Sequence, residues 1–184
     1  MELTYMSTVR KLVEDGQLQK FECELEASAL PQRYIYATPE VAQFVEEELG
    51  NAQTLYPENS VSPAEQLDDV FHQYCSGGSI TVAGACYWMG ANKRHDNLKE
   101  LRIAPKDVWE FKTTDLRIFG WFHEVNIFIV TNIKMKSTLE QLREERDLDL
   151  YPGLCEEAVT KRTRLGLEPK KRPTYLEIVN GLQN

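Results

Sequence analysis

Apolar residues recur at helical spacing in the first quarter of the chain. Met6, Val9, Leu12 and Val13 share one face of a helix, and Gly16 is placed to end it. Phe21, Cys23 and Leu25 alternate with acidic residues, as in a short strand. Strand formers fill Arg33 to Thr38. Thr38 then serves as a helix N-cap, with Pro39 at the first helical position, where its missing N–H costs nothing. Val41, Phe44, Val45 and Leu49 line one face of that helix, Glu46 to Glu48 largely face water, and Gly50 is the expected stop. A polar loop over 51–61 leads to Ser62-Pro63-Ala64-Glu65, a capping box. The helix it opens carries Leu67, Val70, Phe71 and Tyr74 at i, i+3, i+4 and i+7, and Gly77-Gly78 closes it. His72 lies off that stripe and is expected at the surface.

The period then changes from helical to alternating. Residues 79–97 read as an insertion, with Ile80 to Ala85 suited to a strand and Cys86 to Met89 an apolar cluster suited to packing. Leu98 to Ile103, Val108 to Lys112, Leu116 to His123 and Asn126 to Ile133 are successive strand signals with short connections between them. Such connections join antiparallel neighbours, because parallel neighbours need a crossover of about a dozen residues or more. Ile127 to Val130 is continuously apolar, as in a central strand covered on both faces. Ser137 with Glu140 offers a second capping box for a helix carrying Leu139 and Leu142. Leu154, Ala158, Val159 and Leu165 predict another beyond Pro152-Gly153, and Tyr175, Ile178, Val179 and Leu182 a final short amphipathic segment.

Charge changes this picture locally. The 184 residues carry 21 Lys+Arg against 29 Asp+Glu, a net of −8. Residues 1–90 hold four basic and fourteen acidic residues, whereas residues 91–184 hold seventeen and fifteen. The acid excess therefore belongs to the first half, and a local anion site in the second is compatible with the total. No apolar run approaches a membrane span, and no secretory leader pattern is present, so the expected location is the cytoplasm without a membrane partner. Four cysteines and three histidines lie far apart, with no zinc spacing and no glycine-rich phosphate loop. No metal and no cofactor is expected, and the thiols are expected to be reduced.

Two segments stand out together: Val108-Trp109-Glu110-Phe111-Lys112, leading through Leu116-Arg117-Ile118-Phe119, and an apolar strand that ends in Lys134-Met135-Lys136-Ser137-Thr138. This pattern resembles the RelE-type toxin superfamily, in particular its HigB-like, phage-associated branch, over about residues 33–165. The resemblance implies an α+β, RelE-like fold: a central antiparallel twisted sheet, two N-terminal-side helices on one face, and C-terminal helices. Residues 1–32 are then an N-terminal extension, 79–97 an insertion, and 166–184 a tail. It also implies a metal-independent endoribonuclease acting on mRNA, in many members at the ribosome, and neutralised by a cognate antitoxin protein. The ribose 2′-OH attacks the adjacent phosphate while basic side chains hold the phosphate and an acid–base pair moves the protons. By order along the chain, Tyr151 is a candidate for the family's late catalytic tyrosine.

The residues themselves fit that chemistry. An arginine in an apolar strand needs an anion, a carboxylate or solvent, and the Arg117 fork suits a phosphate. Lys134 and Lys136 are two apart at a strand end, hence on one face. Arg117, Lys134, Lys136 and His123 are the catalytic candidates. Lys112, Arg102 and Lys106 are candidate RNA contacts. For Arg117 the competing role is an ion pair with Glu110; for Trp109 it is core packing. Two other readings stand beside the nuclease. One is a non-catalytic binding protein that kept the fold; the other is an enzyme using Cys86 or Cys155 with His123.

Overall fold

The computed structural model describes residues 3–25, 30–56, 61–78, 86–89 and 107–168. Their order is α1 (Leu3–Glu14), β1 (Gln19–Phe21), β2 (Tyr34–Ala37), α2 (Pro39–Glu47), α3 (Pro63–Cys75), β3 (Cys86–Met89), β4 (Val108–Lys112), β5 (Leu116–Glu124), β6 (Ile127–Met135), α4 (Lys136–Arg146) and α5 (Tyr151–Leu165). The strands form one sheet in the order β1-β2-β6-β5-β4-β3. The fold is mixed α+β. β3 through β6 are antiparallel in chain order, as the short β4–β5 and β5–β6 turns favour for the last three, but β2 lies parallel to β6. That pair was not legible from the short turns, because the chain between its strands contains both α2 and α3 and provides the long crossover a parallel pair needs.

Period-two alternation gives the sheet two packed faces. Ile35, Ala37, Trp109, Phe111, Leu116, Ile118, Phe122, Phe128, Val130 and Ile133 meet Val41 of α2 and Leu67, Val70, Phe71 and Tyr74 of α3. Trp109 is thus core, its ring edge-on to Phe122 at 5.3 Å. The opposite face carries two smaller clusters. Trp121, Ile127, Ile129 and Tyr36 pack with Val9 of α1 and Leu165 of α5. Val108 and Phe119 pack with Leu139 of α4 and with Leu154, Cys155 and Ala158 of α5. α1 and β1 are therefore built into the domain rather than appended, with β1 extending the sheet beside β2 and α1 packing on one face through Val9.

Helix ends refine the expected boundaries. The Ser62–Glu65 capping box is formed in both directions, and Gly77 takes φ +77° beyond α3. Gly50 does not stop α2: the helix ends at Glu47, and a 3₁₀ turn over Leu49–Asn51 buries Leu49 completely. Ser137 is not a cap either. Pairing of Met135 with Leu116 carries β6 up to Met135, and the Lys136 N–H bonds the Asp115 carbonyl at 2.7 Å, so α4 starts with Lys136. α5 begins at Tyr151 and takes Pro152 into its first turn, where the Asp149 carboxylate accepts from the Tyr151 N–H at 3.0 Å. The strands expected over 80–85 and 98–103, the RNA contacts Arg102 and Lys106, and the amphipathic segment near 175–182 lie outside the described residues.

The cysteines correct a further expectation. Cys23 and Cys75 form a disulfide with 6.5 Å between their Cα atoms, tying the chain after β1 to the end of α3. The spacing in sequence could not indicate it, because the two residues are 52 apart and meet only through the tertiary fold. Closing a loop of that size restricts the unfolded chain, so loss of the bond is expected to cost about 2–4 kcal/mol. Melting with and without a dithiol reductant measures this, and Cys75→Ser should reproduce the reduced value. Equal melting temperatures would show that the bond contributes nothing. Cys155 is buried within the α4–α5 cluster.

Among the described residues no helix is long and apolar enough to cross a membrane.

Candidate functional site

The register of the meander puts three cations in one row. Lys112 on β4 is directly opposite Arg117 on β5, and Arg117 is opposite Lys134 on β6. Directly paired residues share a face, so all three side chains emerge on the side of the sheet that α4 and α5 cover. The next row on that face is Glu110, Phe119 and Asn132. Tyr151, in the first turn of α5, reaches across both rows. Its ring is edge-on to Phe119 at 5.4 Å, and its hydroxyl donates to Glu110 Oε1 at 3.1 Å.

Glu110 is the hub of this cluster. Its side chain is only 3% exposed, yet Lys112 Nζ lies 3.3 Å from Oε2 and Arg117 Nε 3.7 Å from Oε1. Arg117 Nη1 also donates to the Thr113 and Leu116 carbonyls, both at 2.7 Å. These bonds fix the plane of the guanidinium at the mouth of the β4–β5 turn. Burial pushes the Glu110 carboxyl above the usual carboxylate range, with Lys112 and Arg117 opposing the shift. Burial, and then the Glu110 charge, likewise raise the Tyr151 phenol, so Tyr151 keeps its proton at neutral pH.

The raised carboxyl has a consequence for stability. A group that binds its proton more tightly when folded contributes fully below its unfolded value, near 4.3 for glutamate, and loses that contribution as pH rises through the folded value. Relative to Glu110→Gln, the wild type is therefore expected to lose stability between about pH 4 and pH 8. Urea unfolding of both proteins at the two pH values checks the sign, and a difference that grows in favour of the wild type would contradict it.

Two candidates from the sequence stand outside the paired row. Lys136 does not continue the alternation of Lys134, because the strand has given way to a helix at that residue. Its ammonium lies 4.4 Å from the Tyr56 ring centroid and 3.5 Å from Glu140 Oε1. The Tyr56 hydroxyl raises its pKa most, and Glu140 adds to this, while burial and the Arg117 charge oppose it. His123 is buried, with Nδ1 3.1 Å from the Glu168 carbonyl. It sits six residues along β5 from Arg117, roughly 20 Å at the rise of a strand, so it is not part of the cation row. It lies at the end of β5, near Glu124. Cys155, buried in its own apolar cluster, offers no exposed nucleophile.

Sequence reasoning missed Glu110 as the centre of the site and had Tyr151 only by its order. The signal for Glu110 was its position two residues before Lys112 and cross-strand from an apolar Phe119, which places a carboxylate beneath the cations. Four acidic residues of the first half meet in a separate cleft. Glu22, Glu24, Asp68 and Asp69 line a cleft of about 320 Å³ beside Phe21, Phe71 and His72. Burial and then the neighbouring carboxylates of Glu24, Asp69 and Glu65 raise the Asp68 carboxyl. His72 is exposed there, as its place off the apolar stripe required, with Nδ1 2.6 Å from the Glu24 carbonyl. Among the described residues no group of His, Cys, Asp and Glu is arranged to hold a metal ion. No protein-family model, no curated protein and no solved structure matches the chain.

Proposed function

We propose that the chain is a RelE/HigB-like toxin: a metal-independent endoribonuclease that acts on mRNA in the cytoplasm, with the ribosome as scaffold and an antitoxin protein as its inhibitor. The observation that carries this reading is the in-register row Lys112–Arg117–Lys134 with Tyr151 and Glu110 beside it. Support also comes from the order of elements, a strand, two helices on one face, a three-strand meander and further helices. Three cations on neighbouring strands, about 5 Å apart in the pairing direction, match the charge that builds up on a phosphate under attack. In the reaction the ribose 2′-oxygen bonds to phosphorus and the bond from phosphorus to the 5′-oxygen breaks. The departing 5′-oxygen takes a proton from water, and the products are a 2′,3′-cyclic phosphate and a free 5′-hydroxyl. Arg117 and Lys134 hold the non-bridging oxygens. Glu110, whose carboxyl burial raises above the usual carboxylate range, accepts the 2′-hydroxyl proton by way of the Tyr151 hydroxyl.

The test is incubation of the purified protein with mRNA, with and without ribosomes, in the presence of a metal chelator. Cleavage leaving cyclic phosphate ends supports the reading. Intact RNA in both mixtures, together with normal growth of cells making soluble protein, would end it. Binding should also separate the two lysines. For single-stranded RNA each neutralised phosphate contributes about −0.7 to the slope of log K against log salt, so three cations give about −2. Lys134→Ala should reduce that slope by about one contact, and Lys136→Ala should leave it unchanged.

One observation favours the reading of a non-catalytic binding protein. Arg117 already contacts Glu110 and two carbonyls, which is how a purely structural arginine is held. Under that reading the wild type captures a protein partner and leaves RNA whole.

A further inference from the structure

Asn132 is the exception in an otherwise satisfied part of the sheet. It stands on β6 two residues before Lys134, hence on the cation face, and directly opposite Phe119. The residue is only 9% exposed, and its Nδ2, which carries two N–H bonds, meets no acceptor among the described residues. Its neighbours do not share that state. The Thr131 hydroxyl donates to the Phe119 carbonyl at 3.3 Å, and the Thr131 carbonyl accepts from Lys161 at 3.2 Å. Glu110, in the same row, is engaged by Lys112, Arg117 and Tyr151. A buried donor with no acceptor has lost its water without replacement, and folded proteins keep few of them. One that lies beside a row of cations is a donor waiting for a ligand.

Its place decides which part of the ligand it meets. Two residues along a strand is about 6.6 Å, too far for Asn132 to share the phosphate held at Arg117 and Lys134. At that spacing it faces the nucleoside attached to the phosphate. Its chemistry agrees, because cations hold phosphates without reading sequence, whereas a carboxamide offers a donor and an acceptor side by side and pairs with an adenine edge through the ring nitrogen and amino group.

We propose that Asn132 reads the base next to the bound phosphate, its Nδ2 donating to a ring-nitrogen acceptor, with adenine the base that fits. This deepens the ribonuclease reading and rests on it. The test uses a set of oligoribonucleotides that differ only at the base flanking the cleaved phosphate, measured for both binding and cleavage with the wild type, Asn132→Leu and Arg117→Ala. Asn132→Leu keeps the branched heavy-atom skeleton and removes the donor, so a melting temperature close to that of the wild type is expected and shows that the fold is kept. The variant should lose at least tenfold on the adenine substrate and less than twofold on the others, flattening the preference. In the wild type, 7-deazaadenine should reproduce that loss. Should the leucine variant fail to fold, Asn132→Ala, which removes the donor without adding bulk or charge, gives the same comparison. Unchanged preference, or an equal loss on every oligonucleotide, overturns the assignment. Failure of the nuclease reading has a different signature: a wild type that binds with adenine preference but does not cut keeps the base-reading role, and a wild type that neither binds nor cuts ends both.

Discussion

Arg117→Ala should lower RNA cleavage by at least about 10²-fold, the loss seen when a single preorganised donor to a developing anion is removed. The effect is expected in the chemical step rather than in binding alone, since Lys112 and Lys134 remain to hold the phosphate. Arg117→Lys should not restore the rate. An ammonium cannot keep the Thr113 and Leu116 carbonyls, the Glu110 carboxylate and a phosphate in one plane as the guanidinium does. Truncation also leaves Glu110 buried with one fewer positive neighbour, so a loss of activity could arise from instability. Cleavage by Arg117→Ala, measured well below the melting temperature of that variant, separates the two, because a protein that is fully folded there cannot owe its inactivity to unfolding. The variant should melt below the wild type and yet remain inactive where it is folded. Wild-type cleavage by the folded variant would make Arg117 a structural partner of Glu110 and nothing more.

Gly120→Ala is expected to have the largest effect on the fold. Gly120 lies in the middle of β5 opposite Val130, at the point where the β5–β6 register shifts. A Cβ there would overlap the Ile129 carbonyl oxygen and come within 2.8 Å of Phe128 Cζ. The oxygen belongs to the backbone of a central strand and cannot swing aside, so the two strands must separate or the Phe128 ring must leave its place against Phe111 and Phe122. Overpacking of this kind, with backbone as the obstacle, belongs at the severe end of single substitutions, about 4 kcal/mol or more. In a domain of this size that is a fall in melting temperature of roughly 10 °C or more. A thermal melt that moves by less than about 2 °C would mean that the strands separate at little cost.

The parts of this fold legible in the sequence are those fixed locally. Ser62 and Glu65 could be read as a capping box because the motif is complete within four residues, and β4 to β6 could be paired because their turns are short. The same short turns brought Lys112, Arg117 and Lys134 together correctly. Lys136 was misplaced because one residue of change from strand to helix resets the direction of every following side chain. His123 stands at the end of β5, as its place in the sequence indicated, and strand order alone did not say how far that lies from Arg117. Glu110 and Tyr151 are 41 residues apart, and Cys23 and Cys75 are 52 apart. No local rule joins either pair, since each contact exists only after α5 or α3 has packed.

The parallel pairing of β2 with β6 also governs when the molecule can exist. Residues 34–37 wait for residues 127–130, and until β6 is made there is no sheet centre for α2 and α3 to cover. At about 5–20 residues per second, synthesis of the intervening stretch takes roughly 5–20 s. During that interval Val41, Leu67, Phe71 and Tyr74 have no sheet face to pack on. Contacts so distant in sequence slow folding as well, because the loop must close before any of them is made. A nascent chain halted before Ile127 thus exposes two amphipathic segments, each too short to hold a stable helix alone, and is suited to capture by chaperones or proteases. The cation row assembles only once β5 and β6 complete the sheet.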